Sequence, residues 1–217
     1  MKKGFIFDFD GTIGETIPLA LAALRAAYAD LGLEPPSDAE IKALFGPNEF
    51  GLCKKLVPNA PELAEKLYGR YLFHYEAMHG KYSPASFYGI ADALKIICDG
   101  GALAAIVTGK GDDSAKISLL QYGVGEFFDP IECGSEEGAV KVEKIKKVAA
   151  AWGGKVSKIY YIGDAVSDVY DALEAGAVPV SAAWSALADI PALKRAPTSR
   201  VFESVEDFKD WLFGEIL

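Results

Sequence analysis

Gly4-Phe5-Ile6-Phe7-Asp8-Phe9-Asp10-Gly11-Thr12-Ile13 decides how the remainder of the chain is read. Phe5, Ile6 and Phe7 form an unbroken apolar run, the pattern of a strand buried on both faces of a parallel sheet. The run stops at Asp8, Phe9 and Asp10. Carboxylates two residues apart on an extended backbone point the same way, and Gly11 allows a tight turn behind them. In open α/β sheets ligands sit beyond the carboxyl ends of the strands, which is where this pair would stand. Two like charges placed together are costly unless a cation or a reaction uses them.

Outward from this stretch, the chain divides in character. Pro18 to Asp30 is rich in helix formers and closes at Leu31-Gly32. Ser37-Asp-Ala-Glu40 reads as a capping box opening a short helix to about Leu44, Glu49 to Leu56 as another, and Glu62 to Met78 as a long one. Between about Glu15 and Pro84 no strand pattern occurs, so the spacing predicts an all-helical insert. Beyond Pro84, helices and apolar strands alternate. Ala102–Val107, Pro130–Cys133, Lys158–Ile162, Val178–Ser181 and Val201–Phe202 read as strands, with helices over 90–98, 113–122, 140–152, 168–175 and 205–212. That alternation predicts an α/β fold, a doubly wound parallel sheet carrying a small all-helical insert after its first strand. The expected division is a catalytic core of residues 1–14 and 85–217 and a helical cap of residues 15–84.

Composition narrows the partners. The 217 residues carry a formal net charge of −9, which argues against nucleic acid, since phosphate-backbone binding needs a basic surface. No apolar run approaches the ~20 residues that span a bilayer. The N-terminus enters the first strand without a secretory pattern, so the chain reads as cytoplasmic. Cys53, Cys98 and Cys133 are widely spaced and suggest neither a disulfide framework nor a zinc site. Cys98, in an apolar stretch, reads as packing.

Three far-separated strands end in polar groups of complementary kind: Asp8 and Asp10, then Thr108, then Asp164 and Asp168, with Lys141 opening the helix before the last of them. If the strands are neighbours, one crevice gathers them all. Carboxylates without histidine or cysteine suit a hard cation such as Mg²⁺. A hydroxyl, exposed turn amides and a lysine can hold a phosphoryl group. An aspartate can attack phosphorus while a second carboxyl protonates the leaving oxygen. The parts fit phosphoryl transfer through an aspartyl-phosphate.

In Asp8-Phe-Asp-Gly-Thr-Ile13, Val107-Thr108-Gly109, Lys141 and Gly163-Asp164-Ala-Val-Ser-Asp168, in that order, the chain resembles the haloacid dehalogenase-like superfamily. The insert resembles the small helical cap of its phosphoglycolate-phosphatase-like branch. The resemblance implies a phosphatase acting on a small phosphorylated metabolite, with Asp8 as nucleophile and Asp10 as general acid/base. It implies Thr108, Gly109 and Lys141 as phosphate ligands. It also implies Mg²⁺ held by Asp8, the backbone carbonyl of Asp10 and Asp164, with Asp168 in direct or water-mediated support.

Departures from the common pattern are Lys141-Val-Glu-Lys144 without a proline after the lysine, which makes Lys144 a rival to Lys141, and Gly109-Lys110 after the threonine, where many relatives carry Asn. Gly14-Glu15-Thr16 also stands where Asp-Ser is frequent. A phosphosugar mutase of the same fold would carry a histidine at the place of Ala20. Halide removal does not need an acid at the position of Asp10, and a catalytically silent binding module would not need the whole set. Arg25, Lys42, Lys54, Lys55 and Arg70 of the cap are the candidate contacts for an anionic substrate. His74 and His79, five apart on a cap helix and off the i,i+4 register, argue against a metal site there, and Trp184 reads as packing or loop anchoring rather than substrate contact.

Overall fold

The computed structural model describes residues 1–216. Strand β1 (Lys2–Phe7) pairs in parallel with β2 (Leu103–Val107) on one side and with β4 (Val156–Gly163) on the other. β3 (Ile131–Glu132) lies outside β2, and β5 (Val178–Ala182) then β6 (Arg200–Phe202) lie outside β4, giving the order β3-β2-β1-β4-β5-β6 with every pairing parallel. The direction in which the chain winds reverses between β1 and β4. In this strand order the crevice that receives ligands opens at that switch point, beyond the carboxyl ends of the two strands.

Alternation along β1 explains the two layers of helices. Phe5 and Phe7 face a core shared with Ile90, Leu94, Phe208 and Leu212, from α5 (Ile90–Asp99) and α10 (Val205–Ile216). Ile6 faces the opposite core, with Ile145, Val148 and Trp152 of α7 (Lys141–Trp152) and Ala172 of α8 (Val166–Ala175). Buried on both faces, β1 has no place for a polar side chain until Asp8. The sheet interior therefore ends where the chemistry can begin.

Between β1 and α5 come α1 (Ile17–Asp30), α2 (Asp38–Ala43), α3 (Glu49–Leu56) and α4 (Pro61–Tyr82). They form a helical cap with an apolar cluster of its own, in which Leu19, Leu24, Ile41, Leu67 and Tyr75 are buried. The capping box is present: Glu40 N–H donates to Ser37 Oγ, and Ser37 N–H donates to Glu40 Oε2 at 2.8 Å. Helix α4 runs a turn beyond the expected end at Met78, to Tyr82.

Helix α6 (Asp112–Tyr122) links β2 to β3 and lies under α4. A short helix absent from the sequence expectation, α9 (Ile190–Arg195), follows β5; the Asp189 side chain accepts the Ala192 N–H at 2.9 Å and starts it. Cys98 corrects another expectation. Helix α5 buries Ile90, Ala93, Leu94 and Ile97, and Cys98, one step past that stripe, is exposed. No helix among the described residues is long and apolar enough to cross a membrane.

Candidate active site

Asp8 begins where β1 stops pairing. Its N–H donates to the Ile162 carbonyl of β4 at 2.8 Å, so the backbone is still locked to the sheet while the side chain clears it. The Phe9 N–H donates to Asp8 Oδ1 at 2.7 Å, and the Lys141 ammonium stands 2.5 Å from Oδ2. Burial pushes the Asp8 carboxyl above its ordinary range; Lys141 pulls it down, and nearby Asp168 pushes it up again.

Two glycines make room for the carboxylates behind it. Gly11 sits at φ +76°, and a Cβ there would stand 2.1 Å from an Asp164 oxygen. A Cβ on Gly163 would stand 2.4 Å from Asp168 Oδ2. Asp168 is buried at the start of α8, where Oδ2 accepts the Ala165 N–H at 3.0 Å and Oδ1 accepts from Lys141 at 2.5 Å. Asp164 gains no cation of its own. Burial, then the charges of Asp8 and Asp168, push its carboxyl up to about 8.

The side-chain oxygens of Asp8, Asp164 and Asp168 lie within 4.8 Å of one another. An all-oxygen set of this kind fits a hard divalent cation, which would offset the Asp8 and Asp168 charges that help raise the Asp164 carboxyl. The carboxylate of Asp10 is outside that group. Its Oδ1 accepts from the Thr16 hydroxyl and from Lys110 Nζ at 2.9 Å.

Thr108 follows β2, its N–H held by the Glu132 carbonyl at 3.1 Å, its hydroxyl accepting the Lys110 N–H at 3.2 Å. Gly109 presses its carbonyl against Gly134, where a Cβ would come within 2.0 Å. Lys141 is the first residue of α7 and bridges Asp8 to Asp168. Lys144 is turned away, donating to the Cys133 carbonyl. Of the residues singled out from sequence, Asp8, Asp10, Thr108, Gly109, Lys141 and Asp164 line one cavity of about 680 Å³ between sheet and cap, and Asp168 lies behind them.

Lys110 and Glu49 join this site without having been singled out for it. Lys110 is buried, with Nζ 2.9 Å from Asp10, 3.6 Å from Glu49 Oε1 and 4.8 Å from the centre of the Tyr75 ring. Burial opposes its charge, but Asp10, Tyr75 and Glu49 outweigh it and hold the ammonium well above its ordinary value. Glu49, at the start of α3 in the cap, accepts the Gly111 N–H at 2.6 Å and the Ser114 hydroxyl at 2.5 Å, both from the start of α6. In sequence Lys110 stands out only as part of Gly109-Lys110, where many relatives carry Asn.

The histidines and Trp184 take structural parts. His74 bonds Asp30, His79 bonds Ser118, and Trp184 donates to the Thr12 carbonyl at 3.0 Å. Of the cap's candidate cations, Arg25 pairs with Asp38, Lys54 with Glu136 and Arg70 with Asp30; of the five, Lys42 alone lines the cavity.

A model of the family described as haloacid dehalogenase-like hydrolase matches residues 5–182. The phosphoglycolate phosphatase of Agrobacterium fabrum is 28% identical over 202 residues, covering 88% of this chain and 84% of its own length. The phosphoglycolate phosphatase of Cereibacter sphaeroides is 30% identical over 179 residues, covering 80% of this chain and 81% of its own. Among solved structures, CbbY from Rhodobacter sphaeroides in complex with phosphate superposes with a TM-score of 0.76 at 18% identity, over 94% of this chain and 95% of that one. The chain belongs to the haloacid dehalogenase-like hydrolases, in the phosphoglycolate-phosphatase-like branch with a small helical cap.

Proposed function

We propose that this chain is a Mg²⁺-dependent phosphatase that hydrolyses a small phosphate monoester through an aspartyl-phosphate on Asp8. The observation that carries the reading is the environment of Asp8. Its carboxylate is fixed by a backbone N–H and by Lys141, grouped with Asp164 and Asp168, and open to the cavity under the cap. Fixed geometry of this kind removes much of the entropic cost of attack.

In this reading an Asp8 oxygen attacks phosphorus, and the ester oxygen leaves with a proton from Asp10. Asp10, now a carboxylate, takes a proton from water as that water attacks the phosphorus of Asp8-phosphate, which releases inorganic phosphate and restores Asp8. Thr108, Gly109 and Lys141 hold the phosphoryl oxygens. Lys110 and Thr16 both engage Oδ1 of Asp10, which orients the carboxylate and leaves Oδ2 for proton exchange. Asp8, Asp164, Asp168 and the main-chain carbonyl of Asp10 would hold Mg²⁺, whose charge offsets that of the phosphoryl group when bound.

Residues 15–84 act in this reading as a lid on a core of residues 1–14 and 85–217, turning near Gly14 and Ser83-Pro84. Contacts that a lid would make and break are Asn48 N–H to the Ser135 carbonyl at 2.7 Å and Glu49 to the start of α6. Ala20, which lines the cavity, offers no proton donor or acceptor where a mutase would need one. The test is a panel of phosphoglycolate, sugar phosphates, nucleotides, pyrophosphate and simple esters with EDTA-treated protein, before and after Mg²⁺, ranked by kcat/KM. Turnover restored by Mg²⁺ is expected. Full turnover without metal, or none with it, would contradict the reading.

A further inference from the structure

The cavity beside Asp8 has two unlike ends. Toward the sheet it is polar, as described. Toward the cap its wall is mostly apolar, with Leu21 and Leu24 of α1, Ile41 of α2 and Leu52 of α3 beside Lys42, Asn48, Glu49 and Tyr71, and Phe45 from the cap and Leu187 from the loop after β5 also line it. Phe45 is 44% exposed and Leu187 52% exposed. Single exposed apolar residues are ordinary, but here two large ones, from opposite sides of the cleft, continue a buried apolar wall in one concave surface. A cavity of about 680 Å³ falls in the range, about 300–1,000 Å³, that encloses a whole small organic ligand rather than a phosphate alone.

Charge points the same way. The cations lining the cavity are Lys42, Lys110 and Lys141. Lys141 is committed to Asp8 and Asp168, and Lys110 to Asp10 and Glu49. Lys42 is exposed on the last turn of α2, and no arginine lines the space. A leaving group with a second anionic group would find only Lys42, at an exposed position, as an uncommitted cation against a mostly apolar wall.

We infer that the ester accepted here carries an apolar leaving group, an alkyl or aryl chain of several carbons, which the cap wall buries while Asp8 meets the phosphorus. This rests on the phosphatase reading above and narrows its substrate class away from compact, doubly anionic esters.

The experiment compares n-alkyl phosphates from methyl to hexyl, phenyl phosphate and phosphoglycolate, with the full chain and Mg²⁺. Burial of methylenes should raise kcat/KM by about three- to four-fold per carbon over the first several carbons, and phenyl phosphate should exceed phosphoglycolate by at least about ten-fold. Phe45→Ala and Leu187→Ala, both at exposed positions, should lose hexyl phosphate turnover more than methyl phosphate turnover and so flatten the series. A flat series in the native protein, or phosphoglycolate ahead of phenyl phosphate and dependent on Lys42 in Lys42→Gln, would overturn this inference and leave the phosphatase reading standing. No turnover of any ester would overturn the phosphatase reading and this inference with it.

Discussion

Lys110 Nζ lies 2.9 Å from Asp10 Oδ1 in a buried pocket, and the same ammonium faces Glu49 of the cap at 3.6 Å. One cation thus ties the proposed acid/base of the core to the helical layer above it. Lys110→Met should leave two carboxylates without their partner. Breaking a buried pair by removing one member costs about 3–5 kcal/mol, so a marked fall in melting temperature is expected, together with a lower kcat. Glu49→Gln keeps the shape and the Lys110–Asp10 pair, and should lose less. Equal losses in the two variants would show that Lys110 acts through the cap contact alone.

Asp10→Asn should separate the two halves of the proposed reaction. The first transfer loses its proton donor and the second its base, so turnover should fall by about 10²–10⁴-fold. Esters with a good leaving group, such as p-nitrophenyl phosphate, should suffer least in the first step. Rapid-quench kinetics would check this, and an unchanged rate of phosphate release would remove Asp10 from the role.

Both connections between cap and core meet Tyr122 of α6. The Ser83 hydroxyl bonds the Tyr122 hydroxyl at 2.5 Å, and a Cβ on Gly14 would come within 2.6 Å of its ring. Gly14→Ala should therefore destabilise by about 1–3 kcal/mol, as overpacking does. Gly69 offers the control. It is an exposed helical glycine in α4 with open space around its Cα, so Gly69→Ala should gain about 0.5–1 kcal/mol. Urea melts of the two variants would read both signs.

Stability should depend on pH and metal in a defined sense. Asp164 has an ordinary carboxyl value of 3.8 that the fold raises to about 8. Between about pH 4 and pH 8 the unfolded chain has released this proton while the folded chain keeps it, so stability falls as pH rises through that window. In EDTA the protein should melt higher near the acid end of the window than near its top, and Asp164→Asn should flatten the slope. Added Mg²⁺ should raise the melting temperature most at the alkaline end, by mass action on the folded state. A melt in EDTA that rises steadily toward pH 8 and is unaffected by Asp164→Asn would contradict the electrostatic account of this cluster.

Much of this was legible in the chain because the signals are local. Phe5 to Asp10, Val107-Thr108 and Ile162 to Asp168 each combine a buried strand with the polar group that ends it, and Gly11 marks the tight turn behind Asp10. Helix ends with capping chemistry, such as Ser37–Glu40, were equally readable. What escaped depends on packing between distant segments. Nothing near Glu49 says that it will cap the start of α6, and nothing near Lys110 says that it will turn toward Asp10. Arg25, Lys54 and Arg70 look as available as Lys42 in sequence, and only the folded cap commits them to Asp38, Glu136 and Asp30. The six-residue α9 at Asp189-Ile-Pro191 has neither a capping box such as Ser37–Glu40 to mark it nor enough residues for a periodicity to measure.

Asp8 is the residue proposed to form the covalent bond to phosphorus. The most direct measurement is acid-quenched peptide mapping of the Asp10→Asn variant after incubation with p-nitrophenyl phosphate and Mg²⁺. This background slows hydrolysis of the intermediate, so the label can accumulate. A phosphoryl group is expected on the peptide carrying Asp8, and none when Asp8→Asn is added. A phosphoryl group on any other residue, or full turnover by Asp8→Asn alone, would rule out Asp8 as the nucleophile.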